Sequence, residues 1–292
     1  MKMPVESYDV YRSLIAGKRL NNNSYFDSEI KRYIAQGRLS FIDAGDVLFL
    51  FFSEVVYEQL VIYAEESLPS EVHIHRQAMD IQGELPWVCN VVFRSEEDAS
   101  ALLLSAYLEK LGFNDEYINE EFALADPEPK APEQLLFNNG LELKCATEES
   151  IDAIESLWKS SLPMFVLSSF DRAEMEALIA KKRTFIVTDE SGALCGAFCY
   201  DAALGKTTIH HLAVAPAYRG QGLGGLMIDV WLSKVQGAKL ALAWIERNNL
   251  ASSNLFQKRG FRRTNKRSHQ YVRRREQSVD ATPQNEVVSI GV

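Results

Sequence analysis

The sequence predicts a mixed α/β protein made of two related domains, and three observations carry that prediction. Apolar spacing in the second half alternates between strand-like and helix-like periods in the order β-α-α-β-β-β-α-β-α-β-β. A proline-rich break, Asp126-Pro-Glu-Pro-Lys-Ala-Pro132, divides the chain into pieces each long enough for a core. The two pieces also share a residue pattern. The length of 292 residues agrees with one large domain or two ordinary ones, and 47% hydrophobic residues exclude a wholly disordered chain.

The repeat is visible without gaps over short stretches. Phe26-Asp27, Ile34-Ala35 and Arg38 are matched by Phe170-Asp171, Ile179-Ala180 and Arg183, 144–145 residues later. Leu111-Gly112-Phe113 is matched by Arg259-Gly260-Phe261, 148 residues later. At that second offset the strand-like Tyr57–Tyr63 falls on Gly205–His211, and the helical Ala99–Leu111 falls on the helix ending at Arg259. The expected organisation is a first domain over 1–125, a linker over 126–140, a second domain over 141–275 and a flexible tail over 276–292.

The elements of the second half follow from local chemistry. Leu141–Cys145 reads as a strand, and Thr147 caps a helix over Glu148–Ser160. Asp171–Lys182 is a second helix. Arg183–Thr188 and Ala193–Tyr200 are strands joined by the turn residues Glu190-Ser-Gly192. Thr207–Val214 is a strand, and Gly222–Gln236 is a helix with an apolar stripe at Leu223, Leu226, Met227, Val230 and Trp231. Leu240–Ile245 is a strand, Ala251–Arg259 a helix, and Arg262–Lys266 with His269–Arg273 a closing strand pair.

Composition removes several function classes. The four cysteines (Cys89, Cys145, Cys195, Cys199) form no CxxC pair, which argues against a disulfide framework or a structural zinc. Cys195 and Cys199, at i and i+4 of one strand, are expected on one face as core residues. The longest apolar run, Val47–Phe52, is strand-sized rather than membrane-spanning, and Met1–Tyr8 lacks a secretory layout. The reading is a soluble, cytoplasmic protein with no membrane partner.

The net charge of −9 argues against general nucleic-acid binding, but it hides an asymmetry. Residues 1–140 hold 11 Lys and Arg against 24 Asp and Glu, whereas residues 141–292 hold 20 against 16. The basic run Lys258 to Arg275 is spaced like a solvated hairpin, and without interleaved aromatic residues it gives no nucleic-acid signature.

The chemistry concentrates in Thr208–Gly225, TIHHLAVAPAYRGQGLGG. A strand ends at Val214, Pro216 stops sheet pairing, and Gly220, Gly222 and Gly224 lead into an amphipathic helix. Backbone N–H groups at such a turn converge on an anion, and the helix dipole adds to the attraction. Arg219 places a positive charge beside them. A phosphate or pyrophosphate site is expected. No Gly-Lys-Ser/Thr follows, which excludes a P-loop, and the spacing does not match G-x-G-x-x-G.

The segment Leu212-Ala-Val-x-Pro-x-Tyr-Arg-Gly-Gln-Gly-Leu-Gly224 resembles the acetyl-CoA-binding signature of the GCN5-related N-acetyltransferases (GNAT), with Arg219, Gly222 and Gly224 in the (Arg/Gln)-x-x-Gly-x-(Gly/Ala) places. Asn249 and Lys258-Arg-Gly-Phe261 resemble that family's second signature. The resemblance covers about residues 141–273 and implies tandem GNAT-like mixed-sheet domains, the N-terminal one degenerate. It implies acetyl-CoA as co-substrate, no metal, and a small-molecule or peptide amine as acceptor. It further implies that the backbone of Leu212, Ala213 and Val214 pairs with the pantetheine arm. The amides of Arg219, Gly220, Gln221, Gly222, Leu223 and Gly224 would then hold the pyrophosphate, with Asn249 also at the cofactor.

Two features qualify the resemblance. Where such enzymes often carry a tyrosine that protonates the departing thiolate, this chain has Phe256, which has no proton to give. Either another acid serves or the thiolate leaves without one, which its moderate pKa makes tolerable; a CoA binder without turnover is the alternative. For the general base, His210 stands four residues before Val214, the place where histidine acts in some family members, and strand alternation admits only one of His210 and His211 to a cleft. Glu246 is the second candidate.

The first half has lost the nest. Residues Glu71-Val-His-Ile-His-Arg76 lie opposite the glycine loop, and Glu66 and Glu71 put negative charge where a pyrophosphate would sit. His73 and His75 could ligate a metal from one strand face, but no third ligand accompanies them. An acidic first half would favour a cationic acceptor.

Overall fold

The computed structural model describes residues 2–23, 25–54, 57–69, 72, 75, 85–128, 140–162, 172–235 and 237–274. The expected linker lies largely, and the tail wholly, outside the described residues, as do Glu71, His73, Phe170 and Asp171. The first half contains β1 (Met3–Pro4), α1 (Tyr8–Ile15), β2 (Leu20–Asn21), α2 (Asp27–Ala35), β3 (Leu39–Asp43), β4 (Val47–Ser53), β5 (Glu58–Ala64), β6 (Trp87–Phe93), α3 (Ala99–Lys110) and β7 (Asn114–Ala125). The second contains β8 (Glu142–Cys145), α4 (Ile151–Ser161), α5 (Arg172–Ala180), β9 (Thr184–Thr188), β10 (Leu194–Ala203), β11 (Lys206–Val214), α6 (Leu223–Lys234), β12 (Leu240–Glu246), α7 (Leu250–Gln257) and β13 (Arg262–Arg273).

The repeated residue pattern is a repeated structure. Helix α5 begins 145 residues after α2, and β13 begins 148 residues after β7 with the same length of 12 residues. Apart from β2 in the first half and α6 in the second, the described elements of each half follow one shared order. The run Val47–Ser53 reads as continuously apolar because both faces of β4 are covered: Phe49 and Phe51 pack with α3, while Leu48, Leu50 and Phe52 pack with α1 and α2. Helix α3 starts where the Asp98 side chain accepts from the Ala101 amide at 3.2 Å.

All thirteen strands join one sheet, in the order β1-β3-β4-β5-β6-β13-β7-β12-β11-β10-β9-β8, with β2 beside β5. Among the described residues, strand β7 pairs only with β12 and β13, both from the second half, and β13 pairs only with β6 and β7, both from the first. The halves have therefore exchanged their last strands across a central antiparallel β7–β13 pair. Helices α1, α2, α4 and α5 cover one face, and α3, α6 and α7 the other.

Three sequence expectations are corrected here. Arg262–Lys266 and His269–Arg273 are not a hairpin but one strand, whose register against β7 shifts between Arg263 and Arg267; the irregularity mimics a turn in the sequence. The basic run is not simply solvated either. Glu120 accepts from Arg247 and Arg263, Glu121 from Thr264 and Lys266, and Asp115 bonds His269 at 2.7 Å, while Arg274 pairs with Glu116. Finally, Cys195 and Cys199 are both buried but lie in cores on opposite faces, because the register shift at Cys195 reverses the alternation.

Candidate active site

Strand β11 sets the geometry. It runs parallel to β12 from Lys206↔Leu240 to Ile209↔Ala243, and no further. On its other edge β10 follows it to Val214, with a register shift that leaves His210 as the extra residue between His211↔Cys199 and Ile209↔Tyr200. The bulge increases local twist and turns β11 away from β12. From His210 to Val214, therefore, β11 offers its β12-facing backbone to a slot instead of to a strand. Leu212, Ala213 and Val214, expected to receive a pantetheine arm, lie along it.

The slot runs into the glycine loop. After Val214 the Ala215 amide donates to the Cys195 carbonyl at 2.8 Å, and Pro216–Tyr218 form a 3₁₀ turn. Gly220 and Gly222 then take left-handed conformations at φ +75 and +83 with open space beside both α-carbons. A side chain there would cost about 1–2 kcal/mol in backbone strain. Gly222 caps α6, and the first-turn amides of Leu223, Gly224 and Gly225 have no acceptor within the helix. Gly224 brings α6 close to α7: a β-carbon there would lie 3.2 Å from Leu255.

Side chains brace the loop. Arg219 donates through Nε to the Val214 carbonyl at 3.0 Å and reaches Ser161 Oγ on α4 at 3.4 Å, which fixes its charge over the end of β11. Gln221 returns its amide to the Ala217 carbonyl at 3.0 Å. Tyr218 donates to Asp189 Oδ2 at 2.7 Å. That bond and those from Ser191 and Ala193 lower the Asp189 carboxyl to about 2, with the Ser191 hydroxyl the largest contributor. The sequence reading missed Asp189 as a loop anchor; a hairpin Asp 29 residues before a tyrosine carries no spacing signal.

The two histidines separate sharply. His211 is buried against Trp158, with ring centroids 4.8 Å apart, and burial with the neighbouring His210 lowers its pKa to about 3. It is a neutral core residue. His210 is exposed at the start of the slot, and the crowding around it lowers its pKa below the ordinary histidine value. Of the two, His210 is the exposed one.

The remaining candidates have local duties. Glu246 ends β12 and accepts from the Asn248 amide at 3.0 Å. Asn249 caps α7 through the Ser252 amide at 3.0 Å. Phe256 is buried and packs edge-on against Phe261 at 5.0 Å, part of the core behind the sheet. Trp244, not singled out by the sequence, is 38% exposed on β12 directly opposite Glu121 of β7. Above this face Arg32 of α2 bonds Glu174 of α5 at 2.9 Å, joining the two halves. His75 does not stand open for a metal: Nδ1 bonds the Tyr107 hydroxyl at 2.7 Å and Nε2 bonds Asp46 at 3.1 Å. No group of three or more metal-ligating side chains occurs among the described residues. Nor, among them, is any helix long and apolar enough to cross a membrane.

Comparison with known proteins agrees with this geometry. Residues 181–263 match the family model described as the acetyltransferase (GNAT) domain. No curated protein matches the chain in sequence. Among solved structures, the chain is similar to a tandem GNAT protein from the clavulanic acid biosynthesis pathway at 13% identity, covering 94% of this chain and 98% of that one with a TM-score of 0.59. It is similar to a GCN5-related N-acetyltransferase from Sphaerobacter thermophilus at 14% identity, 80% and 79% coverage and a TM-score of 0.55. A GCN5-related N-acetyltransferase from Kribbella flavida aligns at 16% identity, 86% and 96% coverage and a TM-score of 0.51. At these identities the likeness concerns the fold.

Proposed function

We propose, from the match of residues 181–263 to the acetyltransferase (GNAT) domain model, that the chain is an acyl-CoA-dependent N-acyltransferase that moves acetyl from acetyl-CoA to a primary amine by direct attack. The observation that carries the proposal is the continuity of one groove: β11 leaves β12 at His210 and ends in the Gly220–Gly222 nest at the head of α6. Residues 141–275 would form the catalytic lobe. Residues 1–125 would wall its acceptor side, with 126–140 the connector and 276–292 a tail.

Each residue then has a task. The amides from Arg219 to Gly224 hold the pyrophosphate, and the Arg219 guanidinium, pinned at Val214, adds positive charge. The free edge of Leu212–Val214 pairs with the pantetheine arm. As the amine attacks the thioester carbon, the oxygen gains negative charge, which a β11 amide near Val214 stabilises. His210 accepts the amine's proton; a neutral imidazole is the form its lowered pKa favours at pH 7. Glu246 is the alternative base, although one of its oxygens already holds the Asn248 amide.

A cationic acceptor would have to meet acidic groups of the first half other than those on β7. Asp115, Glu116, Glu120 and Glu121, the carboxylates on β7, are engaged by basic residues of the second half. A second reading, a CoA-binding regulatory or scaffold protein without turnover, draws on Phe256, which is buried and protonless where a general acid often stands. Release of free thiol from acetyl-CoA across an amine panel tests the choice. Turnover lost in Arg219→Glu supports the enzyme; tight CoA binding with no turnover on any amine supports the scaffold.

A further inference from the structure

The first lobe repeats the splay of the second, and its slot is already filled. Strands β5 and β6 run parallel only at Glu58↔Trp87 and Gln59↔Val88, after which they diverge. Into the gap the chain places its own segment 19–22. The Arg19 amide donates to the Glu65 carbonyl at 3.0 Å, and Leu20 and Asn21 pair with Ala64 and Tyr63. At the repeat offset of 148 residues, Tyr63–Glu65 fall on His211–Ala213, of which Leu212 and Ala213 belong to the edge assigned to the pantetheine arm.

Asn22 completes the closure. Its Oδ1 accepts from the Ile62 amide of β5 at 2.7 Å. Its Nδ2 lies 2.9 Å from the Asn90 carbonyl of β6, 3.0 Å from Cys89 Sγ and 3.4 Å from the Leu60 carbonyl. One side-chain amide thus satisfies backbone groups on both diverging strands. In a sheet interior those groups would otherwise need another partner, because an orphaned buried amide or carbonyl is destabilising.

We propose that residues Arg19–Asn22 are a built-in occupant of the first lobe's CoA slot, so that each chain binds one CoA, in the second lobe alone. The inference rests on reading the β11–β12 slot as a CoA site. It explains why the first lobe dispenses with a glycine nest: its cleft is held open at a fixed width by a peptide, not a cofactor. Asn22 is therefore a positioning residue for β6, the strand on which the exchanged β13 is laid.

The test uses the full chain. Calorimetric titration with CoA is expected to give one site in the wild type and none in Arg219→Glu. A second equivalent, or binding that survives Arg219→Glu, would overturn the proposal. Absence of any binding in the wild type would overturn the functional reading instead, and the occupant is then decided by exchange alone. In Asn22→Ala, the Ile62 amide should exchange at least tenfold faster and Cys89 should become reactive to a maleimide in a Cys145→Ser background. Unchanged protection at both would sink the idea. Should Asn22→Ala fail to fold, Asn22→Asp separates the bonds: it keeps the acceptor for Ile62 and loses the donor, so Ile62 stays protected while Cys89 reacts at least tenfold faster. Equal protection of Cys89 in Asn22→Asp and wild type would count against the proposal.

Discussion

Trp244 and Glu121 are direct cross-strand neighbours although one belongs to each half of the chain. The buried Glu121 carboxylate accepts from Thr264 Oγ1 at 3.0 Å, so this contact ties β12, β7 and β13 together at the centre of the sheet. Residues 141–275 expressed alone would leave the outer edge of β12 bare and β13 without either neighbour. That fragment is expected to show no cooperative thermal transition by circular dichroism, whereas co-expression with residues 1–140 restores one. A sharp transition in the isolated fragment would contradict the exchange.

Gly225 is required by a neighbour rather than by its own backbone. A β-carbon there would overlap the Arg259 guanidinium, which donates through Nε to the largely buried Asp229 at 3.0 Å. Gly225→Ala should shift Arg259 against Asp229 and leave a carboxylate less well paired. The overlapped atoms are the far end of a flexible side chain that swings aside and keeps part of the pairing, so the loss should be about 1–2 kcal/mol, and at about 2–4 °C per kcal/mol the melting temperature should fall by roughly 5 °C. A change under about 2 °C in calorimetry would show that the pair rearranges freely.

His211 should make stability depend on pH. Its pKa is about 3 in the fold, mainly through burial, against about 6.5 in the unfolded chain. Between those values the unfolded state binds the extra proton, so the contribution is complete above pH 6.5 and lost as pH falls towards 3. At pH 5 the loss is about 2 kcal/mol. Urea titrations from pH 7.5 to 5 should show this decline in the wild type and a flatter one in His211→Leu.

His210 should govern the rate rather than the stability. Its lowered pKa places the acid limb of kcat/KM for the amine below 6.5, since the base is active only when neutral. His210→Gln is expected to remove that limb and to reduce kcat by about 10²–10⁴, with CoA affinity unchanged. An identical pH–rate profile in the variant would transfer the role to Glu246.

Much of this was legible in the sequence. Apart from the closing strand pair, elements of the second half fall within three residues of their expected ends, because caps, turns and apolar periods are local. The loop after Val214 was legible for the same reason. What escaped detection depends on neighbours. The exchange of β7 and β13 changes which strands meet without changing either strand's own pattern. The single-residue shifts at Cys195 and His210 reverse alternation with no compositional mark. Asn22 lies just past a two-residue strand, and a short polar stretch such as Leu20–Asn23 reads as loop.

The exchange has a consequence for synthesis. When Ala125 has left the ribosome, β7 is finished, yet both strands that will flank it are still untranslated. For more than a hundred residues of elongation it is a nascent segment with two open edges, the arrangement that invites pairing with other nascent chains. Its sequence, Asn114-Asp-Glu-Tyr-Ile-Asn-Glu-Glu-Phe122, answers that hazard: four carboxylates repel a second copy of the same strand and wait for Arg263, Lys266 and His269 of β13 and for Arg274 just beyond it. The charges that hold the finished seam together also guard it while it is incomplete.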